Sequence, residues 1–263
     1  MDFGMFYSED DWRLHLENDE FISYYNRLYE VVRECGISVG QVHSPMVNYL
    51  YTGYEEEGNF YFDLQRKAIL AAECLHSPYI IIHPVIPPQY RYSFYREETR
   101  EINRKYFGKL KKYLHESNVR VGIENMWNWD PEKECICPTV CSTAEEMCEY
   151  IDELGADTAV ACLDFGHALL TGDTPAHMIS VLGERLKTVH IHDNNGKEDA
   201  HVAPFMGITN WKETCEALKA VNYQGTFNFE ADSFNSMFGK ELADAAAEML
   251  CKIGRSLVAQ YEL

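Results

Sequence analysis

The chain has 263 residues, of which 46% are apolar and 25% are charged, enough for one large domain with a sizeable core. Its 42 acidic and 23 basic side chains give a net charge of −19, which opposes nucleic-acid binding because that binding depends on clustered Lys and Arg. No apolar run reaches the roughly 20 residues needed to cross a membrane, and residues 1–6 lack the features of a signal peptide. We therefore expect a cytoplasmic protein with reduced cysteines and no membrane or nucleic-acid partner.

Short β-branched runs alternate with longer amphipathic stretches, which is the pattern of parallel strands joined by helices. The predicted strands are 3–6, 38–43, 79–83, 120–124, 160–164, 188–192 and 226–230. The predicted helices are 21–35, 62–75, 97–117, 144–154, 174–182, 211–220 and 240–260. This alternation predicts an α/β fold of the TIM (β/α)8 barrel type. No linker divides the chain, so residues 1–263 are expected to form a single domain.

The number of strands departs from the ideal barrel, because a closed barrel of this type has eight and the pattern yields seven. The first predicted strand begins almost at the first residue. Two explanations stay open: the chain lacks the usual first β/α unit, or its N-terminal segment pairs in a way that the pattern does not reveal.

Nearly every predicted strand ends in a residue that can bind a metal ion. These residues are His43, His83, Glu124, Asp164, His190, His192 and Glu230. The C-terminal ends of the strands of a TIM barrel meet on one face, so the side chains are expected to converge there. A buried cluster of carboxylates and imidazoles is costly unless a cation or partner neutralises it. The sequence therefore predicts a divalent-metal site.

Short motifs around these residues follow one another in a characteristic order. They are Val42-His43-Ser44-Pro45, Ile82-His83-Pro84, Ile123-Glu124-Asn125, Leu163-Asp164-Phe165-Gly166-His167, His190-Ile191-His192-Asp193-Asn194, Asp199-Ala200-His201 and Phe229-Glu230. In order and spacing they resemble the xylose-isomerase-like TIM-barrel superfamily, which includes sugar isomerases and epimerases, inosose dehydratases, hydroxypyruvate isomerases and endonuclease IV.

The resemblance implies a metal-dependent sugar isomerase or epimerase of carbohydrate metabolism, which takes a small carbohydrate and often forms a homo-oligomer. The shared metal ligands correspond to Glu124, Asp164, one of His190 and His192, and Glu230. Glu124 and Glu230 would also act as acid and base, moving a proton through a metal-stabilised enediolate. A ligand set of carboxylates and imidazoles without a thiolate does not decide between Zn²⁺, Mn²⁺, Co²⁺ and Mg²⁺. No glycine-rich phosphate loop is present, so a nucleotide cofactor is not expected.

Further polar residues leave a second function open. His43, His83, His167, Asp199 and His201 match positions that complete a three-zinc cluster in endonuclease IV, so the alternative is a multi-zinc phosphoester hydrolase. In the isomerases similar histidines bind sugar hydroxyls, and on that interpretation His43, His83 and His167 bind substrate. Trp127 would stack on the sugar face or only pack its own loop. Lys197 adjoins position 198, where related epimerases often carry an arginine and this chain has Glu198.

Overall fold

The described part of the chain consists of two compact units in which short strands alternate with helices. The computed structural model describes residues 12–45, 58–86 and 91–263, apart from the side chain of Leu14. The first unit holds the described residues up to 86 together with Ser93–Ile123 and Tyr150–Val160. The second unit holds residues 91–92, Glu124–Glu149 and Ala161–Leu263.

Three parallel strands and three helices make up most of the first unit. In chain order its elements are a 3₁₀ helix at Trp12–His15, α1 (Asn18–Glu34), β1 (Val42–His43), α2 (Phe60–Cys74), β2 (Tyr79–Ile81), a 3₁₀ helix at Tyr92–Phe94 that begins in the second unit, α3 (Arg96–Glu116) and β3 (Arg120–Glu124). Strand β2 lies between the other two, with Val42 opposite Ile80 and Ile80 opposite Val121. The chain enters the second unit at the last residue of β3.

The second unit carries a hairpin, two parallel strands and most of the remaining helices. Its elements are β4 (Trp127–Asp130), β5 (Cys135–Pro138), α4 (Ala144–Leu154), β6 (Ala159–Asp164), α5 (Phe165–Leu170), α6 (Pro175–Leu182), a 3₁₀ helix at Gly183–Arg185, β7 (Leu186–His190), α7 (Trp211–Ala220), α8 (Asp232–Met237), a 3₁₀ helix at Lys240–Leu242 and α9 (Ala243–Tyr261). The end of α4 and the start of β6 belong to the first unit. Strands β4 and β5 are antiparallel, whereas β6 and β7 are parallel and place Asp164 opposite His190.

Local sequence explains where these elements begin. Asn59, Thr174 and Asn210 each cap a helix by accepting a hydrogen bond from a backbone N–H in its first turn. Strand β6 is buried at every position, as expected for a parallel strand that is covered on both faces. No described helix combines the length and the apolar character needed to cross a membrane.

Most predicted elements are found close to their predicted positions, and the differences concern short segments. The predicted strand 226–230 forms only an isolated parallel bridge, between Phe229 and Ile191. The hairpin β4–β5 and the six-residue helices α5 and α8 were not predicted. The predicted strand 3–6, and with it the question of the first β/α unit, lies outside the described residues. The single domain stays a prediction.

Candidate metal and active site

Four of the predicted ligands lie together in the second unit. Glu124, Asp164 and His190 are the last residues of β3, β6 and β7, and the register of the last two strands sets Asp164 beside His190. Glu230 follows the isolated bridge and is fixed by its backbone N–H, which donates to the Ile191 carbonyl oxygen at 3.1 Å. One ligand atom from each of the four residues lies within 4.8 Å of the others. We call these four residues the carboxylate group.

Three carboxylates surround one imidazole in the carboxylate group. His190 Nδ1 lies 3.2 Å from Glu124 Oε1 and 2.9 Å from Glu230 Oε2. Burial opposes the charge on His190, but the neighbouring Cys162 sulfur, Glu230 and Glu124 raise its pKa well above the ordinary value. Carboxylate and imidazole donors are the ligands that divalent ions such as Zn²⁺, Mn²⁺ and Co²⁺ take in proteins. The donor set therefore fits a divalent metal ion.

Burial distinguishes the two glutamates of the carboxylate group. The side chain of Glu124 is 2% exposed, whereas that of Glu230 is 27% exposed. Asp164 and His190 are fully buried. Glu230 is consequently the member that solvent reaches most easily.

A second set of ligand-type side chains lies in the same unit. His167, His192, Asp199 and His201 also bring one ligand atom each within 4.8 Å of the others, and we call them the histidine group. Asp199 Oδ2 lies 3.4 Å from His167 Nε2 and 3.3 Å from His201 Nε2. His167 stands in the first turn of α5, whose N-terminus is capped by Asp164 Oδ1 accepting from His167 N at 2.6 Å.

Asp199 pairs with two imidazoles of the histidine group. Burial opposes ionisation of Asp199, but its hydrogen bonds to His167 and His201 hold its pKa well below the usual range. Burial also opposes the charged form of both histidines, but the nearby carboxylates have the larger effect. Asp164, Asp199 and Glu124 raise the pKa of His167 to about 10. Asp199, assisted by Asp164, raises the pKa of His201 to about 9. One carboxylate thus has two imidazolium partners.

His192 joins the two groups. Its Nε2 lies 3.0 Å from both carboxylate oxygens of Asp164, and its ring stacks on that of His201 with centroids 4.0 Å apart and planes 6° from parallel. A Cβ atom at Gly166 would overlap the His192 ring, so only glycine leaves room for it. Of the two histidines that the sequence left open as ligands, His190 lies in the carboxylate group and His192 in the histidine group.

The remaining predicted site residues are His43, His83, Trp127 and Lys197. His43 and His83 face each other in the first unit, with their Nε2 atoms 3.1 Å apart. Trp127 Nε1 donates to Asp199 Oδ2 at 3.1 Å, which places this tryptophan at the edge of the histidine group. Lys197 is exposed, and within the described ranges no contact of its side chain with either group is seen.

Three residues near the site were given no role by the sequence. Asn125 clamps the backbone of Asp164: its Oδ1 accepts from Asp164 N at 2.7 Å and its Nδ2 donates to Asp164 O at 2.9 Å. The buried carboxylate of Asp193 accepts from Thr209 N at 3.1 Å and from Trp211 Nε1 at 3.2 Å, and so anchors the loop before α7. The sulfur of Cys162 lies with Glu124 and His190, all within 4.8 Å. The signal for Cys162 was its position two residues before Asp164, on the same face of β6.

Comparisons with known proteins identify the family to which the chain is related. The model of the family described as xylose isomerase-like TIM barrel matches residues 5–253. An uncharacterised protein of Methanocaldococcus jannaschii is 29% identical over 168 residues, which are 63% of this chain and 54% of that protein, so the match spans about half of this relative. A D-psicose 3-epimerase of Enterocloster bolteae is 28% identical over 116 residues, 44% of this chain and 35% of the epimerase.

Solved structures share the fold. A D-tagatose 3-epimerase-like protein superposes with a TM-score of 0.70 at 22% identity and covers 94% of this chain and 88% of its own. The structure of the IOLI protein with a bound zinc atom gives a TM-score of 0.68 at 16% identity, with 92% and 84% covered. The fold is thus an α/β barrel of the TIM type. Because the family model spans nearly the whole chain, the chain belongs to the xylose isomerase-like TIM-barrel family.

Proposed function

We propose that the protein is a divalent-metal-dependent isomerase or epimerase that acts on a small sugar or sugar-like ketone. The observation that carries this proposal is the carboxylate group, in which three carboxylates and one imidazole converge at the ends of strands. The names of the relatives support the substrate class, since they include a D-psicose 3-epimerase and a D-tagatose 3-epimerase-like protein. The IOLI protein with its zinc atom supports metal binding in this fold.

Glu124, Asp164, His190 and Glu230 would hold the ion. When bound there, a divalent ion supplies Lewis-acid polarisation of a carbonyl oxygen. Asp164 is held for this role by Asn125, which fixes its backbone on both sides through two hydrogen bonds. Such support from neighbouring residues orients ligands before an ion arrives.

The two glutamates would move the proton. One carboxylate accepts the proton from the carbon next to the carbonyl, and the other returns a proton to that carbon. Glu124 is shielded from water, whereas Glu230 is partly exposed and can exchange its proton with solvent. We expect deuterium from heavy water to enter product mainly through Glu230. Substrate contacts of His43, His83, His167, Trp127 and Lys197 stay predictions from the family resemblance.

A multi-zinc phosphoester hydrolase is the second candidate, and the orientation of the histidines favours it. His167 Nδ1 lies 2.8 Å from the Asn125 carbonyl oxygen, and His201 Nδ1 lies 2.7 Å from the Glu230 carbonyl oxygen. A carbonyl only accepts, so Nδ1 carries the hydrogen and Nε2 faces Asp199, as in many metal-binding histidines. We favour the isomerase because the named relatives include a D-psicose 3-epimerase and a D-tagatose 3-epimerase-like protein.

Metal content and a substrate panel test the proposal together. The purified protein is analysed for Zn, Mn and Co, and assayed on ketoses that include D-psicose and D-tagatose. About one tightly bound ion per chain with epimerase activity supports the proposal. In Glu124→Gln the activity should fall by roughly 10²–10⁴-fold, because one proton-transfer group is lost. Two or three zinc ions per chain, with activity only on phosphoesters, would contradict the isomerase proposal and support the hydrolase.

A further inference from the structure

A thiol lies directly against the carboxylate group. Cys162 is fully buried in β6, two residues before Asp164 and therefore on the same face of the strand. Its sulfur, one carboxylate oxygen of Glu124 and one ring nitrogen of His190 lie within 4.8 Å of one another. Both neighbouring residues are at most 1% exposed, so the three donors lie together in the protein interior.

These donors differ in chemistry from the carboxylate group. A thiolate is a soft ligand that binds Zn²⁺ and Co²⁺ well, whereas Mg²⁺ and Mn²⁺ prefer oxygen ligands. The two sets share Glu124 and His190, and they differ by the exchange of Asp164 and Glu230 for Cys162. The set with the thiol should therefore prefer different metal ions from the set of carboxylates.

We propose that Glu124, Cys162 and His190 form an inner position for a thiophilic divalent ion such as Zn²⁺ or Co²⁺. The proposal rests on the proposed function in one respect, since it shares two ligands with the metal site of the isomerase. On binding, the S–H bond of Cys162 breaks, a bond between sulfur and the ion forms, and the proton leaves to solvent. The ion keeps its charge and no residue is oxidised or reduced.

The inner position predicts a metal preference. Zn²⁺ and Co²⁺ can use the sulfur as a ligand, so both should bind more tightly than Mn²⁺. The margin between their affinity and that of Mn²⁺ should be smaller in a variant without the thiol than in the natural protein. An ordinary packed cysteine would leave that margin unchanged. The comparison of Cys162→Ser with the natural chain separates the two roles, because serine keeps the shape but offers no sulfur.

Cobalt provides the direct test, since its absorption spectrum reports both binding and ligand type. The full chain is stripped of metal with a chelator and titrated with Co²⁺ alone. Visible d–d bands show that the ion is bound, and a near-ultraviolet sulfur-to-cobalt charge-transfer band shows a thiolate ligand. We expect both in the natural protein and the loss of the charge-transfer band alone in Cys162→Ser. The matched control is Cys215→Ser, in which a buried thiol of α7 is replaced and both bands should persist.

The outcomes separate this proposal from the proposed function. Visible bands without a charge-transfer band in the natural protein would overturn the inner position and leave the isomerase site standing. A charge-transfer band that persists in Cys162→Ser would also overturn it, since another cysteine would then be the ligand. Absence of any bound cobalt would overturn both. If Cys162→Ser does not fold, as judged by circular dichroism, Cys162→Ala and the ratio of Zn²⁺ to Mn²⁺ affinity provide the same decision.

Discussion

The carboxylate group and the histidine group are built from the same two kinds of side chain in opposite proportions. The first has three carboxylates and one imidazole, and the second has three imidazoles and one carboxylate. Both are buried for the most part, so each must balance its charge within a short distance. In the histidine group, protonated His167 and His201 can pair with Asp199 and with the adjacent Asp164, which agrees with the direction of their raised pKa values. The single imidazole of the carboxylate group cannot offset three carboxylates, and this imbalance is what makes it the better site for a cation.

Removing one ligand from each group tests this difference with the largest expected effect. Glu230→Gln takes a charged ligand from the carboxylate group, so the purified variant should lose its bound ion and its epimerase activity should fall by roughly 10²–10⁴-fold. Asp199→Asn changes the histidine group and should keep the ion. Elemental analysis and the turnover number measure both. Equal metal loss in the two variants would show that the groups act as one site.

A smaller effect is expected from crowding His192, the residue between the groups. Gly166→Ala places a Cβ atom where the His192 ring lies, so the ring or the backbone must shift. We expect the free energy of unfolding to fall by about 1–3 kcal/mol, in the range of other overpacked positions. Thermal unfolding in the presence of a chelator measures this without metal.

A matched glycine provides the control for that experiment. Gly108 lies within α3, and a Cβ atom there would meet nothing within 4 Å. Gly108→Ala should therefore leave stability unchanged or raise it by about 0.5–1 kcal/mol through helix propensity. Equal stability losses in Gly166→Ala and Gly108→Ala would contradict the inference that contact with the His192 ring causes the loss at Gly166.

The ion pair between Asp199 and His201 predicts that the stability of the metal-free protein depends on pH. Folding raises the pKa of His201 from 6.5 to about 9, so its contribution to stability is complete below pH 6.5 and is lost as the pH rises through about 9. Folding lowers the pKa of Asp199 from 3.8, so its contribution is present above pH 3.8 and is lost as the pH falls below that value. The pair should stabilise the fold most between pH 3.8 and 6.5.

Melting temperatures measured across pH in a chelator would show the loss above pH 6.5. The decline should be shallower in Asp199→Asn, because the partner that raises the pKa of His201 is then neutral. A decline of the same steepness in that variant would mean that Asp199 is not the partner that raises the pKa of His201.

The sequence was informative about the carboxylate group because most of its members sit at strand ends. Alternating strands and helices identify β3, β6 and β7, and the last residue of each carries the chemistry. The C-terminal ends of the strands of a TIM barrel meet on one face, so the sequence predicts that Glu124, Asp164 and the pair His190 and His192 lie close together, without deciding between the two histidines. The motif order added Asp199 and His201 to the list of candidates.

Other features depend on contacts that a linear pattern does not contain. His190 and His192 both lie on one face of a strand by periodicity, and only the register with β6 separates their neighbours. The strands of the hairpin β4–β5 have four residues each, and an alternation as short as Trp127 to Asp130 is not distinguished from a loop by its pattern. The sequence alone suggests that Cys162 is an ordinary core residue, and only the structure shows Glu124 and His190 beside it.

The hairpin offers the finest test of how separate the two groups are. Trp127→Phe keeps the ring but removes the N–H that donates to Asp199 at 3.1 Å, so the free energy of unfolding should fall by about 1–2 kcal/mol. Trp129→Phe on the same strand is the control: that side chain is 47% exposed, and its effect should stay within about 0.5 kcal/mol. Neither change touches the carboxylate group, so both variants should keep their metal ion. If Trp127→Phe lost the ion as Glu230→Gln does, a change confined to Asp199 would have reached Asp164 through His192, and the two groups would share one charge balance.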